Sequence, residues 1–337
     1  MTQREFKGGI LPTDEHPAVR FRDGFGPAFL VTVDVEEDFD WTQPLARENT
    51  AVDSVVRLRK FQTFCEGAGV IPCYLVDYPV ANSSIAQDIL GGAFRRRKAD
   101  VGLQLHPWVT PPHDEEVNCR NSFAGNLPPA LERAKIATLA KTVRARFGVD
   151  AKIYRAGRYG IGPNTIALLG EEGIAIDSSV RAYHDYHAED GPDFSTRDSS
   201  PAWVGRDVRI LELPLTTVFT GLLRRHGPKL YRRSGRVAAL RGAAARLGLL
   251  NRVPLTPEGV SIDEAKAAID HALGDGLPIL NFAFHSPSLV PGNTPYVRDN
   301  DDLDAFYDWW REILAHLDQR GVRATDIGDI MGAVELD

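Results

Sequence analysis

The hydrophobic pattern is clearest from Phe29 to Glu36, where an apolar, β-branched run ends in carboxylates. A short continuous apolar run of this kind reads as a buried strand. Asp34 and Glu36 are two residues apart, so extended geometry turns both carboxylates to one side. Two carboxylates at the end of a buried strand are costly unless a metal or a proton transfer uses them. Similar strand patterns recur at 70–76, 100–106, 151–155, 174–178, 209–215 and 278–285, with a shorter one at 322–325. Helical periodicity fills the intervals at 53–66, 83–97, 128–147, 261–273 and 302–319, with a short helix from 163. Gly67 and Gly69 stop the first helix, Pro128 and Pro129 open the long one, and Ser261 with Glu264 forms a capping-box pattern. The last helix spaces Phe306, Trp309, Trp310, Ile313 and Leu317 as a core stripe.

Strand and helix alternate, which predicts parallel strands with helices outside them. Seven or eight strands over this length suggest a barrel in a single domain, 28–337, after an irregular lead-in over 1–27. Barrels of this kind carry their chemistry at the C-terminal ends of the strands. Those ends hold Asp34 and Glu36, His106, Arg155, Asp177, Glu212 and His285.

Composition narrows the class. A chain with 43% hydrophobic and 25% charged residues is globular. The formal charge of −7 argues against a general nucleic-acid binder. No apolar run reaches transmembrane length, and the first residues hold no stretch of signal-peptide length, so a cytoplasmic location is expected. Cys65, Cys73 and Cys119 are too scattered for a disulfide framework or a thiolate zinc site and read as small buried residues.

The strand-end residues suit hydrolysis of an acyl group, which needs a water nucleophile, a base, an acid and a group that polarises the carbonyl. Glu36 and His106 are suitable ligands for zinc or a similar divalent ion. Asp34 is then the base, held ionised by Arg155 or Arg158. His285 protonates the leaving group, with Asp177 orienting it. The backbone N–H near Tyr159 is placed to stabilise an oxyanion. A different chemistry, a metal-free glycosidase, would use two carboxylates such as Glu36 and Glu212.

In this order the segments resemble the polysaccharide deacetylase (NodB-homology) family, carbohydrate esterase family four. Val33-Asp34-Val35-Glu36 resembles its first motif, and Gly102 to Trp108 falls where its histidine motif belongs. Arg155-Ala156-Gly157-Arg158-Tyr159-Gly160 is similar to its Arg-Pro-Pro-Tyr motif, Asp177-Ser178-Ser179 is a loose match to the fourth, and Phe282 to Ser286 resembles the last. Asn121-Ser122-Phe123, His285 to Leu289 and Thr294-Pro295-Tyr296 look like a subgroup associated with bacterial surface-polysaccharide biosynthesis. The resemblance implies a deformed (β/α) barrel, a divalent metal, most simply zinc, and removal of N-acetyl or similar groups from amino sugars. Gln104, Trp108, Arg158, Tyr159 and Glu212 are expected to contact the carbohydrate. One departure stands out: the family's histidine pair would fall on Gln104 and Trp108. His113 supplies the second imidazole if the Pro107–Pro112 loop folds back. A carbohydrate-binding relative that has lost the metal site is the alternative.

The segment 221–256 reads as a basic helical insertion. From Leu222 to Arg252 it holds nine Lys or Arg residues and no acid. Its Ala, Leu and Arg spacing over 234–250 is that of an amphipathic helix. It is either a solvated helix packed on the barrel or a contact for anionic lipid heads or for the pyrophosphate of a lipid- or nucleotide-linked sugar. The second option places the protein at the inner face of the membrane.

Overall fold

A computed structural model describes residues 19–205, 208–233 and 238–335. Most of the expected lead-in, and residues 234–237 of the expected insertion helix, lie outside the described residues. The fold is mixed α/β. A curled sheet runs in the order β8–β1–β2–β3–β4–β5–β7–β6. Its strands are β1 (Ala28–Val35), β2 (Cys73–Val76), β3 (Asp100–Leu105), β4 (Ile153–Ala156), β5 (Ile176–Asp177), β6 (Ala202–Val204), β7 (Ile210–Glu212) and β8 (Ile279–His285). All neighbours pair in parallel except β6 with β7. The ends of the sheet meet through an irregular segment after β7. The N–H of Thr216 donates to the carbonyl of Asn281 on β8, and the N–H of Asn281 donates to Thr216 Oγ1. The sheet is therefore a half-barrel whose open side these bonds bridge, with no strand ladder across it among the described residues.

Strand parity explains both the core and the site. Phe29, Val31, Val33 and Val35 of β1 point outward and join the large core beneath the helices. Ala28 and Leu30 point inward with Cys73, Leu75, Ile153, Ile176, Leu211 and Ile279, a small apolar plug in the barrel. Further along the same inner face stand Thr32, Arg155 and Asn281, all buried, and beyond them Asp34 and Glu36. The inner face thus changes from apolar to polar toward the C-terminal strand ends. Because β1 is flanked by β2 and β8, its whole length is buried and reads as one apolar run.

The helices cover the outer face: α1 (Leu58–Gly67), α2 (Ser84–Arg95), α3 (Pro129–Phe147), α4 (Ile262–Gly274) and α5 (Asn300–Gln319). The capping box at Ser261 and Glu264 is formed. On α5, Trp310 packs edge-on to Phe284 and tilted against Phe282, so the aromatic stripe is core. The sequence pattern missed β6, the helix Ile327–Ala333 and the two-stranded ladder of Thr217–Thr220 with Asn251–Pro254. That ladder clamps both ends of the basic segment, whose described helices are Gly227–Arg233 and Ala238–Arg246. The lead-in also differs from expectation, because Arg20–Phe21 pairs with Val334–Glu335. Cys65 and Cys73 are buried as expected, but Cys119 is exposed.

Candidate active site

At the C-terminal end of the barrel lies a cavity of about 600 Å³. Asp34, Glu36, Gln104, His106, Arg158, Tyr159 and His285 line it, together with Trp108 and the loop residue Trp41. Sheet register sets Asp34 beside His285 and Gln104 beside Arg155. His285 Nε2 stands 3.8 Å from Asp34 Oδ2.

Each of these two groups is anchored from behind. Asp34 is 2% exposed, and its Oδ1 accepts from Arg155 Nη1. Arg155 is fully buried and spends three of its other four donors on Thr32 Oγ1, Ser178 Oγ and the Ser178 carbonyl. The guanidinium therefore has no freedom to leave the carboxylate. His285 donates Nδ1–H to Glu258 Oε2 at 2.8 Å, and Glu258 also accepts from the His285 backbone N–H and from Ser288 Oγ. Burial alone would lower the His285 pKa, but the charge of Glu258, then Glu36 and the Glu258 hydrogen bond, outweigh it and raise it to about 10. His285 is thus a cation at neutral pH. Its Nε2 side faces Asp34 and the cavity.

His106 carries the opposite assignment. Burial lowers its pKa despite the nearby carboxylates, so the ring is neutral. Its Nδ1 lies 2.7 Å from Glu37 Oε2, and burial raises the pKa of that carboxyl to about 7. With Glu37 ionised, that nitrogen is the donor and the Nε2 lone pair is left toward Glu36, 3.6 Å away. Glu37 is itself held by Trp108 Nε1 and, through its backbone N–H, by Asp77. Burial lifts Glu36 to a pKa of about 8, with Glu37 and Asp34 adding to the rise and the two histidines opposing it.

Two groupings could hold a metal. Glu37, Asp77 and His106 present ligand atoms within 4.8 Å of one another. Their facing atoms are already committed, however. Glu37 takes both His106 Nδ1 and Trp108, while Asp77 accepts from the N–H groups of Glu37 and Val80. This buried row is better suited to orient His106 than to bind an ion. The other grouping is Glu36 Oε2 with His106 Nε2. Their 3.6 Å separation is too long for a hydrogen bond. It is close to the ~3.4 Å edge between two ligands of a tetrahedral zinc. Gln104 Oε1, buried on the same strand face, has no hydrogen-bond partner among the described residues, and neither has Trp41 Nε1. The cavity wall thus offers one open acceptor and one open donor.

Backbone shape matters here too. A Cβ on Gly157 would lie 2.3 Å from His106 Cδ2 and 2.7 Å from the Leu105 carbonyl. Only glycine lets the end of β4 approach the histidine this closely. The next two residues, Arg158 and Tyr159, both hold positive φ, of 54° and 62°. That conformation is unfavourable for side chains of this size and marks a loop fixed by its surroundings.

Several expected residues sit elsewhere. Asp177 and Glu212 do not line the cavity. Ile176 and Leu211 take the inward positions, so their strand neighbours point to the outer face. There the two acids are buried side by side. Burial and the Asp177 charge push Glu212 well above its usual range, so it keeps its proton. Glu258, not Asp177, orients His285. His113 is exposed and faces a separate surface cleft. The cause is Lys135 of α3, whose Nζ donates to the carbonyls of Pro107, Thr110 and Pro112 and pins the loop away from the cavity. Arg158 reaches the cavity but is paired with Glu189 and Ser122, so Arg155 alone serves Asp34. Trp108 stacks on His106 with ring centroids 4.3 Å apart. Glu258 was missed because it lies in a loop between the insertion and α4, where no periodicity marks it.

No family model matches the sequence, and no curated protein does. Among solved structures, the chain is similar to one assigned as a polysaccharide deacetylase from Mycobacterium smegmatis. The TM-score is 0.49 at 13% identity, over 92% of this chain and 96% of that one. It is similar to the 4-alpha-glucanotransferase of Thermococcus litoralis with the same TM-score of 0.49 and 13% identity, but spans only 38% of that chain. A third likeness, over 91% of each chain, is to the Xyl-CE4 domain of a multidomain xylanase from the hindgut metagenome of Trinervitermes trinervoides, with a TM-score of 0.42 and 9% identity. At scores and identities this low the likeness assigns no chemistry, and the cavity is read from its own residues.

Proposed function

We propose that this chain is a carbohydrate N-deacetylase that hydrolyses an N-acetyl or similar N-acyl group on an amino sugar. The observation that carries the reading is the pair Asp34 and His285, 3.8 Å apart and each anchored from behind. Asp34 takes a proton from the attacking water. His285, already cationic, gives its Nε2 proton to the departing nitrogen, so the amide C–N bond breaks and a carboxylic acid and an amine leave. The backbone N–H of Tyr159 faces the developing oxyanion. Arg158, Trp108 and Gln104 contact the sugar, with Gln104 Oε1 accepting from a substrate N–H or O–H. Glu36 and His106 Nε2 fit a divalent ion, zinc by ligand type. When bound, such an ion polarises the acyl carbonyl and acidifies water.

Elemental analysis of protein purified without a histidine tag, before and after zinc loading, tests the metal part. About one ion per chain is expected, with most of it lost in Glu36→Ala and in His106→Ala. Retention of the ion in both variants would move the site to Glu37 and Asp77. No uptake by the unaltered protein would remove the metal from the mechanism. Release of acetate from N-acetylated amino sugars tests the chemistry.

A second reading, carbohydrate binding without turnover, is favoured by one observation: Gln104 and Trp108 stand where the resembled motif would have histidines. Sugar binding with no acetate release would establish it. The pair Glu36 and Glu212 named for a glycosidase is not brought together, since Glu212 faces away from the cavity.

The basic segment supports a location for the work. Leu222, Leu240 and Leu247 are 84%, 60% and 71% exposed among arginines. No helix among the described residues is long and apolar enough to cross a membrane. Leucines exposed beside basic residues suit the surface of an anionic bilayer, where each cation adds about 1 kcal/mol. We therefore place the protein at the inner membrane face, acting on a lipid- or nucleotide-linked precursor. Co-sedimentation with vesicles is expected to be strong with anionic lipid, weak with neutral lipid and reduced by salt. Equal recovery in the supernatant with both vesicle types would rule the contact out.

A further inference from the structure

We propose that Arg181 forms an anion subsite in the cavity, which receives a carboxylate or phosphate carried by the same sugar that Asp34 and His285 deacylate. The inference deepens that reading and rests on it. Arg181 follows β5, and its backbone bridges to Leu215, so its position is set by the sheet. Its side chain is half-buried and reaches the cavity beside His285. Tyr159, Arg181, His285 and Tyr296 also line an adjoining recess of about 70 Å³; Glu258 lines it too, but its oxygens are taken by His285 and Ser288, so the anion is received on the main-cavity side of Arg181.

What sets Arg181 apart is its lack of an acidic partner. Arg155 has Asp34 and Arg158 has Glu189. Among the described residues no carboxylate pairs with Arg181. A guanidinium has five N–H donors. The one hydrogen bond seen here is Nη1 to the Tyr186 hydroxyl at 3.2 Å, and the group lies 5.3 Å from the Tyr159 ring centroid. Its remaining N–H donors are therefore available to a ligand in the cavity.

The surroundings add to the positive field. Arg252, from the ladder that holds the basic segment, donates to the Tyr183 carbonyl. Burial first, then Arg181, Arg252 and Arg241, push His184 well below its ordinary range. The cavity is therefore polarised, with carboxylates at the barrel floor and a guanidinium to one side. A sugar bearing an N-acyl group and an anion can bind in one direction only. Guanidinium recognises carboxylate and phosphate through the same paired hydrogen bonds, so these two sources share one chemistry.

The test is calorimetric binding to the full chain of N-acetylglucosamine, N-acetylglucosaminuronic acid and N-acetylglucosamine 1-phosphate, for wild type, Arg181→Lys and Arg181→Gln. At least one anionic probe is expected to bind about tenfold or more tightly than the neutral sugar, the worth of a charge-assisted contact. Arg181→Gln should erase that preference and Arg181→Lys should keep part of it, with thermal melts showing both variants folded. The arm that binds identifies the anion as carboxylate or phosphate. Equal affinity for all three probes, or a preference that survives in Arg181→Gln, overturns the subsite, as does failure of both anionic probes to bind. Tight anion binding without acetate release would leave the subsite standing and remove the deacetylase reading. Acetate release from the neutral sugar alone would do the reverse.

Discussion

Asp34→Asn is expected to lower acetate release by about 10²- to 10⁴-fold, the usual worth of a positioned general base. Asparagine keeps the shape and can still accept from Arg155 Nη1, but it cannot take a proton from water. The same change leaves the fully buried Arg155 without a carboxylate. Breaking one side of a buried ion pair costs about 3–5 kcal/mol. The asparagine oxygen recovers part of that, so Asp34→Ala should be less stable than Asp34→Asn. Urea unfolding and steady-state kinetics separate the two effects, because activity is read on protein that is still folded. Bound zinc should be unchanged, since Asp34 is not one of the proposed ligands. An Asp34→Asn protein within threefold of wild type would end the role of Asp34 as base.

The strand pattern alone singles out Asp34 and His285 as strand-end residues. Residues 28–36 alternate so that every second side chain enters the barrel, and Asp34 and Glu36 inherit that parity. His106 and His285 end strands of the same kind. Parity also explains the failures. In the five-residue span 174–178 nothing in the sequence says whether Ile176 or Asp177 faces inward, and the apolar residue takes the interior. Glu212 follows the same rule beside Leu211. Loops were less legible still. Whether His113 folds back or stays a solvated loop residue depends on Lys135, a side chain from a helix more than twenty residues away whose hydrogen bonds fix the loop outward. Glu37 could not be separated from the acidic run around it. Only the turn at the end of β1 brings it back onto His106. The departure at Gln104 and Trp108 now has a physical content as well. Trp108 holds the carboxylate that orients His106, and Gln104 presents an open acceptor to the cavity.

Glu258→Gln is expected to be the second severe substitution, with a signature that simple damage would not produce. His285 can act as an acid only while it carries its proton. Its raised pKa comes from the Glu258 charge and hydrogen bond, together with Glu36 and Asp34, working against burial. The sign follows directly. Activity that needs the imidazolium is full at low pH on this limb and is lost as pH rises through the His285 pKa, near 10 in the native protein. Glutamine removes the largest raising influence and leaves burial in place, so the limb must move to lower pH. With its oxygen kept on the His285 backbone N–H and Ser288 Oγ, glutamine sets an amide N–H against the ring Nδ1–H that donates to Glu258 now. The ring then loses its fixed orientation as well as its charge partner. A fall in kcat of about 10²-fold or more is expected at neutral pH, as when a catalytic histidine loses its orienting carboxylate. Glu258→Asp should recover part of the rate and return the limb toward its native position. A pH–rate profile of kcat for the three proteins decides the matter. A lower rate with the alkaline limb unmoved would make Glu258 a packing residue and return the question of what charges His285 to Glu36 and Asp34.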